Sequence, residues 1–560
     1  MASISKQFKI SEMYEHNGIE SFSGTPMNGG GWCLSWVQRR GRMAADSTDG
    51  GSDLYLYSKH SDPSRDDFPE AVITSVSSLS RAVWQTTEQP LTDPQFIVTA
   101  DQQLLTGSAH GLSPSCWVQL PPESHFGYGA PVWCAAGALF VVEDCSGSSL
   151  WLAVASERPL ELDDCHRLWR VGRGQNILSF DGSLDGGSIV LVQQMVEGFI
   201  GEVMLLDITN KDSPQSRRIA VDGRVDYCTP QVAFTGDGKV LCRLNLAADD
   251  TPVPGENGRY AVTTGLWLID HEHDVTQPVL VMPDMEHGSY DVKSGSACDS
   301  GGNFVLNASR TVAAVSARSH SYQTTADRLY LVGLDSPQVD QAGSLVPGVT
   351  IDGTTTSKGC YTAVALHGDL ENSTVLFNFC NPVELGDLYS VTMAEEQSGR
   401  RLTRTMPRSL ARKFIEPEEH VITCPDKGTQ CHAMIYRPDA SGPKSQPILW
   451  LHSGPLTHAA FEPHTVCSWL CRQGYVVCAL NFRGSTGFGM AHMDAIFGNA
   501  GRADLADCVT AAAYLKQLGA DPSYNMDLSR GVGVTGFSWG GYLTLMCMVA
   551  TEPGTFGCGE

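Results

Sequence analysis

The stretch Gly531-Val-Gly-Val-Thr-Gly-Phe-Ser-Trp-Gly-Gly-Tyr-Leu-Thr-Leu-Met-Cys-Met-Val-Ala550 decides the fold. A short apolar run, a glycine-rich turn around one serine and a helix-like apolar segment read in order as strand, elbow and helix. In a G-x-S-x-G elbow the serine sits on a sharp strand-to-helix turn, and the flanking positions must be glycine because a Cβ there would strike the neighbouring strand or helix. Gly536 and Gly540 fit this pattern around Ser538, and Gly541 adds clearance. The turn lifts the Ser538 hydroxyl clear of the sheet, while the first N–H groups of the helix, that of Trp539 above all, point toward a developing oxyanion. Ser538 is therefore a candidate acyl-transfer nucleophile.

Working back from the elbow, Arg502 to Leu518 places Leu505, Cys508, Val509, Ala512, Leu515 and Leu518 on one helical face. Ile448–Leu451 and Tyr475–Leu480 are continuously apolar runs of the kind buried in a parallel sheet, with a helix expected over Thr465–Arg472 between them. His420–Cys424 and Cys431–Tyr436 read as an antiparallel hairpin at the sheet edge. Strand, helix, strand, helix, strand, serine, helix is the order of a doubly wound α/β domain, expected over residues 420–560. Acyl transfer needs a second oxyanion donor from the loop after an earlier strand, and His452-Ser453-Gly454-Pro455 follows Leu451 directly. Gly454, with no side chain to hold its N–H away from a substrate, is the candidate.

Residues 28–395 repeat a different theme: a β-rich run, a Gly/Asp/Asn/Ser turn, then a run carrying an apolar–aromatic pair. Leu54-Tyr55, Cys116-Trp117, Leu150-Trp151, Val203-Met204, Leu266-Trp267, Leu329-Tyr330 and Leu388-Tyr389 mark these units, the fourth without its aromatic. Their spacing predicts an all-β propeller of about seven blades. Residues 1–27 read as an N-terminal extension and 396–419 as a solvated linker, basic from Arg400 to Lys413. A propeller followed by an incomplete α/β-hydrolase domain is thus the expected architecture.

Composition narrows the function. The formal net charge of −24 and the lack of basic clusters exclude a nucleic-acid partner. The opening Met1–Ile10 has no signal-peptide run, and no window approaches a membrane span, so a cytoplasmic protein without membrane attachment is expected. Eighteen scattered cysteines suit reduced thiols. The pairs Cys467/Cys471 and Cys424/Cys431 lack a second half with zinc-ligand spacing and read as buried structural thiols, so neither metal nor cofactor is expected. The sequons at Asn307 and Asn372 read as chance, and Glu395-Glu396 and Glu418-Glu419 as solvated surface.

Leu451-His-Ser-Gly-Pro455, Asn481-Phe-Arg-Gly-Ser-Thr-Gly-Phe-Gly489, the Asp504-x-x-Asp507 helix and Gly536-Phe-Ser-Trp-Gly-Gly-Tyr542 stand in the order and spacing of the prolyl oligopeptidase family. The match most resembles its acylaminoacyl-peptidase branch. The resemblance implies a propeller that caps the hydrolase domain and admits short peptides, some N-acylated, with no cofactor. It implies Ser538 as nucleophile, the N–H groups of Trp539 and Gly454 as oxyanion hole, and Arg483–Gly489 as a loop framing the site. Ser453 stands where the family has glycine. In α/β-hydrolases the acid and the histidine follow the nucleophile in chain order, yet no histidine lies beyond the elbow. His452, His458, His464 and His492 read as structural. The chain is accordingly expected to be an incomplete copy of a longer hydrolase and inactive as written. A non-catalytic propeller scaffold with a vestigial hydrolase domain, or an esterase, are the alternatives.

Overall fold

A computed structural model describes residues 19–559 except 27–31, 40–51, 59–70, 77–78, 81, 88–90, 92, 110–113, 128, 195–200, 220–223, 226–230, 246–264, 280–290, 293–303, 319–320, 335–343, 347, 352–353, 395–397, 404–407, 427 and 439–441. Glu395-Glu396 thus lies outside the described residues.

Strands with an unbroken apolar run, such as Ile189 to Val192 within Ser188–Gln194, cannot leave either face in water. Ile189 and Leu191 turn to one side and join the cluster of Leu139, Val141, Leu150 and Leu152, while Val190 and Val192 turn to the other and meet Val232, Phe234 and Val240. The same alternation recurs along the chain and stacks the sheets face to face. Among the described residues, seven sheets of four or five strands lie between 19 and 401, antiparallel except where Leu160–Glu161 pairs parallel with Ser115–Gln119. Each successive pair shares an apolar cluster. A seventh cluster, Trp32 and Leu34 of the first sheet with Leu376 and Leu388 of the last, closes the ring.

That closure is made by side chains. A Cβ on Gly24 would lie 2.6 Å from Leu376, and Trp32 Nε1 donates to Ser390 Oγ at 3.0 Å, but no described strand pairs across the seam. Six of the marker pairs fall in the third strand of their sheet, and Cys116-Trp117 in the fourth.

The propeller reaches beyond both expected boundaries. Ile19–Pro26, within the stretch read as an extension, pairs with Trp32–Arg39 in the first sheet. Arg400–Arg401, read as linker, pairs with Glu384–Thr392, because Arg401 has ionic partners there: Glu384 and the fully buried Asp387. Residues 410–415 are also docked. Leu410 and Phe414 pack against Leu385 and Trp469, Ile415 N–H donates to Ser468 Oγ at 3.3 Å, and Arg472 holds the carbonyls of Arg412 and Lys413.

The second unit is a six-stranded sheet in the order Glu418–Thr423, Gln430–Tyr436, Tyr475–Asn481, Gln446–Leu451, Val532–Gly536, Phe556–Gly559. The first two pairings are antiparallel and the rest parallel. Helices Thr465–Arg472, Ala503–Leu518 and Trp539–Val549 accompany it. The strand Phe556–Gly559 was not anticipated; its glycines and Cys558 give no β signal, and its pairing with Val532–Gly536 defines it. No helix among the described residues is long and apolar enough to cross a membrane.

Candidate active site

Strand Gln446–Leu451 lies between Tyr475–Asn481, which follows it in the chain, and Val532–Gly536, which comes much later. Strand order reverses there, and ligands of open α/β sheets bind outside the carboxyl ends of strands at such a switch point. Two segments singled out in the sequence emerge side by side at that spot, because Leu451 is in register with Gly536. One is the His452–Pro455 loop; the other is the elbow.

Ser538 has φ 54° and ψ −114°, a strained conformation for a residue with a side chain. The turn is packed tightly enough to impose it. A Cβ on Gly536 would lie 2.5 Å from the Gly540 carbonyl carbon and 2.7 Å from the Leu451 oxygen, and one on Gly540 would overlap the Leu451 carbonyl. Gly541 differs from the expectation of clearance: a Cβ there would meet only the Gly536 oxygen, at an ordinary 3.5 Å. Ser538 is exposed, and its hydroxyl makes no hydrogen bond to any described residue. The N–H groups of Trp539 and Gly454 likewise have no acceptor among the described residues. Gly454 has φ 54°, held by Thr457, whose hydroxyl donates to the Ser453 carbonyl at 2.6 Å and to that of Gly454 at 3.2 Å.

The histidines are committed elsewhere. His452 is buried, stacks on Phe482 with ring centroids 4.3 Å apart, and meets Ser485 Oγ at 2.8 Å. The Ser485 hydroxyl donates to the Phe482 carbonyl, so its oxygen accepts from His452 Nε2–H. His492 is also buried, with Nε2 against the Phe482 carbonyl and Nδ1 against the Tyr322 hydroxyl. Burial holds both imidazoles neutral, down to about 4. His464 caps the helix Thr465–Arg472, accepting from Cys467 N–H, and His458 contacts Thr486. None of the four touches Ser538.

Two aspartates of one helix serve two parts of the site. Asp504 accepts the Trp539 indole N–H at 3.2 Å, and burial raises its carboxyl above the ordinary range. Asp507, fully enclosed, accepts from Arg483 at both its backbone N–H, 2.7 Å, and its guanidinium, 2.7 Å to Nη2. Despite the cost of burial, these bonds hold the Arg483 guanidinium more firmly charged than usual. Arg483 opens the Arg483–Gly489 loop, which the propeller grips from the other side. Arg318 donates to the Thr486 carbonyl and lies over the Phe488 ring, and Tyr322 stacks on that ring at 5.3 Å.

Glu419, read as solvated surface, is instead a buried junction between the two units; only 4% of its side chain is exposed. It pairs with Lys358 at 2.6 Å and His432 at 3.0 Å and accepts from Thr325 N–H at 2.9 Å. Burial alone would raise its pKa, but the His432 and Lys358 bonds bring it down to about 2. Its neighbour Glu418 is half-exposed against Arg437, as a surface residue would be.

On the helix after the elbow, Tyr542, Leu545, Met548 and Val549 are exposed, and Phe537 beside Ser538 is 77% exposed. An apolar surface therefore borders the serine.

Residues 461–560 match the prolyl oligopeptidase family (Peptidase_S9). Dipeptidyl peptidase family member 6 of Caenorhabditis elegans is 38% identical over 114 residues, 20% of this chain and 14% of that protein. Acylamino-acid-releasing enzyme 1 of Oryza sativa subsp. japonica is 36% identical over 109 residues, 20% of this chain and 13% of that protein. The likeness thus spans well under a quarter of either relative's length. Among solved structures, a Mycobacterium tuberculosis puromycin-hydrolyzing peptidase aligns over 99% of this chain and 78% of its own, with a TM-score of 0.66 at 15% identity. That likeness reaches through the propeller, where sequence matching does not, and establishes the shared fold.

Proposed function

We propose that this chain carries the nucleophile half of a serine peptidase acting on short peptides, N-acylated ones included, through an acyl-enzyme on Ser538. The observation that carries the proposal is the strained Ser538 at the switch point of the sheet, where the N–H groups of Trp539 and Gly454 have no acceptor among the described residues. Ser538 Oγ would attack the scissile carbonyl and the two N–H groups would receive the oxyanion. The amine would then leave with a proton, and water would release the acyl group. The similarity to acylamino-acid-releasing enzymes supports N-acylated peptides as substrates. The propeller packed against the Arg483–Gly489 loop supports a limit on substrate size. All described cysteines are free thiols, which supports a cytoplasmic setting.

The reaction also needs a base. No described imidazole touches Ser538, and this chain by itself is expected to be unreactive. The same observation favours a second reading, a non-catalytic propeller scaffold. A fluorophosphonate probe separates the two. Labelling of a form of the protein that supplies a histidine, lost in Ser538→Ala, supports the peptidase. Failure of every folded form to label leaves the scaffold.

A further inference from the structure

We propose that Cys424, Cys431 and Asp507 form a binding site for a thiophilic divalent cation of the zinc type, placed behind the Arg483–Gly489 loop. The two cysteines lie on the edge hairpin, where Cys424 N–H bonds Thr429 and Cys431 pairs with Ile422, so both thiols share one face of the sheet. The helix Ala503–Leu518 packs on that face and brings Asp507, the third donor, from 76 residues beyond Cys431 in sequence. All three donors are buried and their ligand atoms lie within 4.8 Å of one another.

The spacing fits tetrahedral coordination. A zinc ion bound to two thiolates at its usual bond length separates the sulfurs by about 3.8 Å, and a thiolate from a carboxylate oxygen by about 3.5 Å. Here Cys424 Sγ and Cys431 Sγ are 3.8 Å apart, and Cys424 Sγ is 3.2 Å from Asp507 Oδ1. The sulfurs are thus placed for coordination before any ion arrives, and too far apart for a disulfide bond.

Charge balances as well. Two thiolates and the Asp507 carboxylate against a divalent cation and the Arg483 guanidinium sum to zero, and Asp426, the other carboxylate on Arg483, adds one negative charge on the half-exposed side. Binding would release the two thiol protons to solvent and leave Arg483 as the outer partner that orients Asp507. Asp426 and Gly428, in the turn just past Cys424, are exposed, so the site lies close to solvent. Because Asp507 also holds the Arg483 backbone N–H, the ion would bind at the root of the Arg483–Gly489 loop.

The test uses the purified 560-residue chain, reduced and anaerobic, titrated with Co²⁺ and followed by thiolate-to-cobalt charge-transfer absorption. One ion per chain is expected, displaced by Zn²⁺, with the absorption lost in Cys424→Ser and in Cys431→Ser and kept in Cys471→Ser. In the wild type, Zn²⁺ should slow alkylation of Cys424 and Cys431 by roughly tenfold or more while leaving Cys467 and Cys471 unchanged. This second readout does not depend on the serine variants folding. Absent charge-transfer absorption, absorption that survives in both folded variants, or equal alkylation with and without Zn²⁺ would each overturn the proposal.

Discussion

Asp504 accepts the indole N–H of Trp539 across 3.2 Å, tying the first turn of the helix Ala503–Leu518 to the residue that follows the candidate nucleophile. The indole is anchored to a carboxylate with no solvent access, so the orientation of the Trp539 backbone is set by a helix 35 residues earlier. Asp504→Ala should destabilise the domain by about 1–3 kcal/mol, the cost of leaving a buried polar partner unpaired. Asp504→Asn keeps an acceptor oxygen and should recover most of that loss. Urea unfolding of both variants checks this; equal losses would show that charge, not the indole bond, is what matters.

The elbow glycines should separate sharply. Gly540→Ala drives a methyl into the Leu451 carbonyl and should cost roughly 3 kcal/mol or more, since backbone on both sides must move. Gly541→Ala has room and sits inside a helix, where alanine is favoured over glycine by about 1 kcal/mol. It should be neutral or slightly stabilising in thermal melts. Loss of folding in Gly541→Ala would contradict the packing described here.

Gly487 marks where the two units meet. Its φ is 88°, and a Cβ there would overlap the Arg318 guanidinium. Arg318 is buried against Thr486 and Phe488 and has little room to retreat. Gly487→Ala should therefore weaken the junction by about 2 kcal/mol or more, from backbone strain plus displaced packing. The expected readout is an unfolding transition split between propeller and hydrolase domain, against a more cooperative one in the wild type.

Acid should loosen the protein in two stages. His452 and His492 stay neutral in the folded state down to about 4, whereas in the unfolded chain they take up protons near the ordinary value of about 6.5. Between those limits the unfolded state binds more protons, so stability is full above the upper limit and falls with pH, by up to about 1.4 kcal/mol per pH unit for each group. Glu419 is held to about 2 against an unfolded value of about 4.3, so its contribution is present above the latter and disappears as pH falls toward the former. Denaturant midpoints measured from about pH 7.5 to about pH 3 should decline throughout. A flat profile above about pH 5 would remove the histidines from this account.

What the sequence disclosed was whatever had a local signature. The elbow announces itself because its glycines are enforced within five residues, and the helix Thr465–Arg472 and the hairpin read from periodicity and a turn. Ile19–Pro26 was lost because its pairing with Trp32–Arg39 includes an irregular step and no marker pair. Glu419 looked like surface because the groups that neutralise it, Lys358 and Thr325, come from the other unit of the fold. Asp504 and Asp507 were visible as a motif, but their separate tasks were not. One reaches Trp539 and the other Arg483, at separations no window spans.

The propeller seam has a mechanical meaning. Within each blade, neighbouring strands are laced by backbone hydrogen bonds, but first and last blades are held by Trp32, Leu34, Leu376, Leu388 and Leu402 and one indole-to-hydroxyl bond. The ring behaves as a split washer. The seam is joined by side chains like every other blade contact but has no chain segment running directly from one of its blades to the other, and parting it would wet a small apolar patch without tearing any β-ladder seen among the described strands.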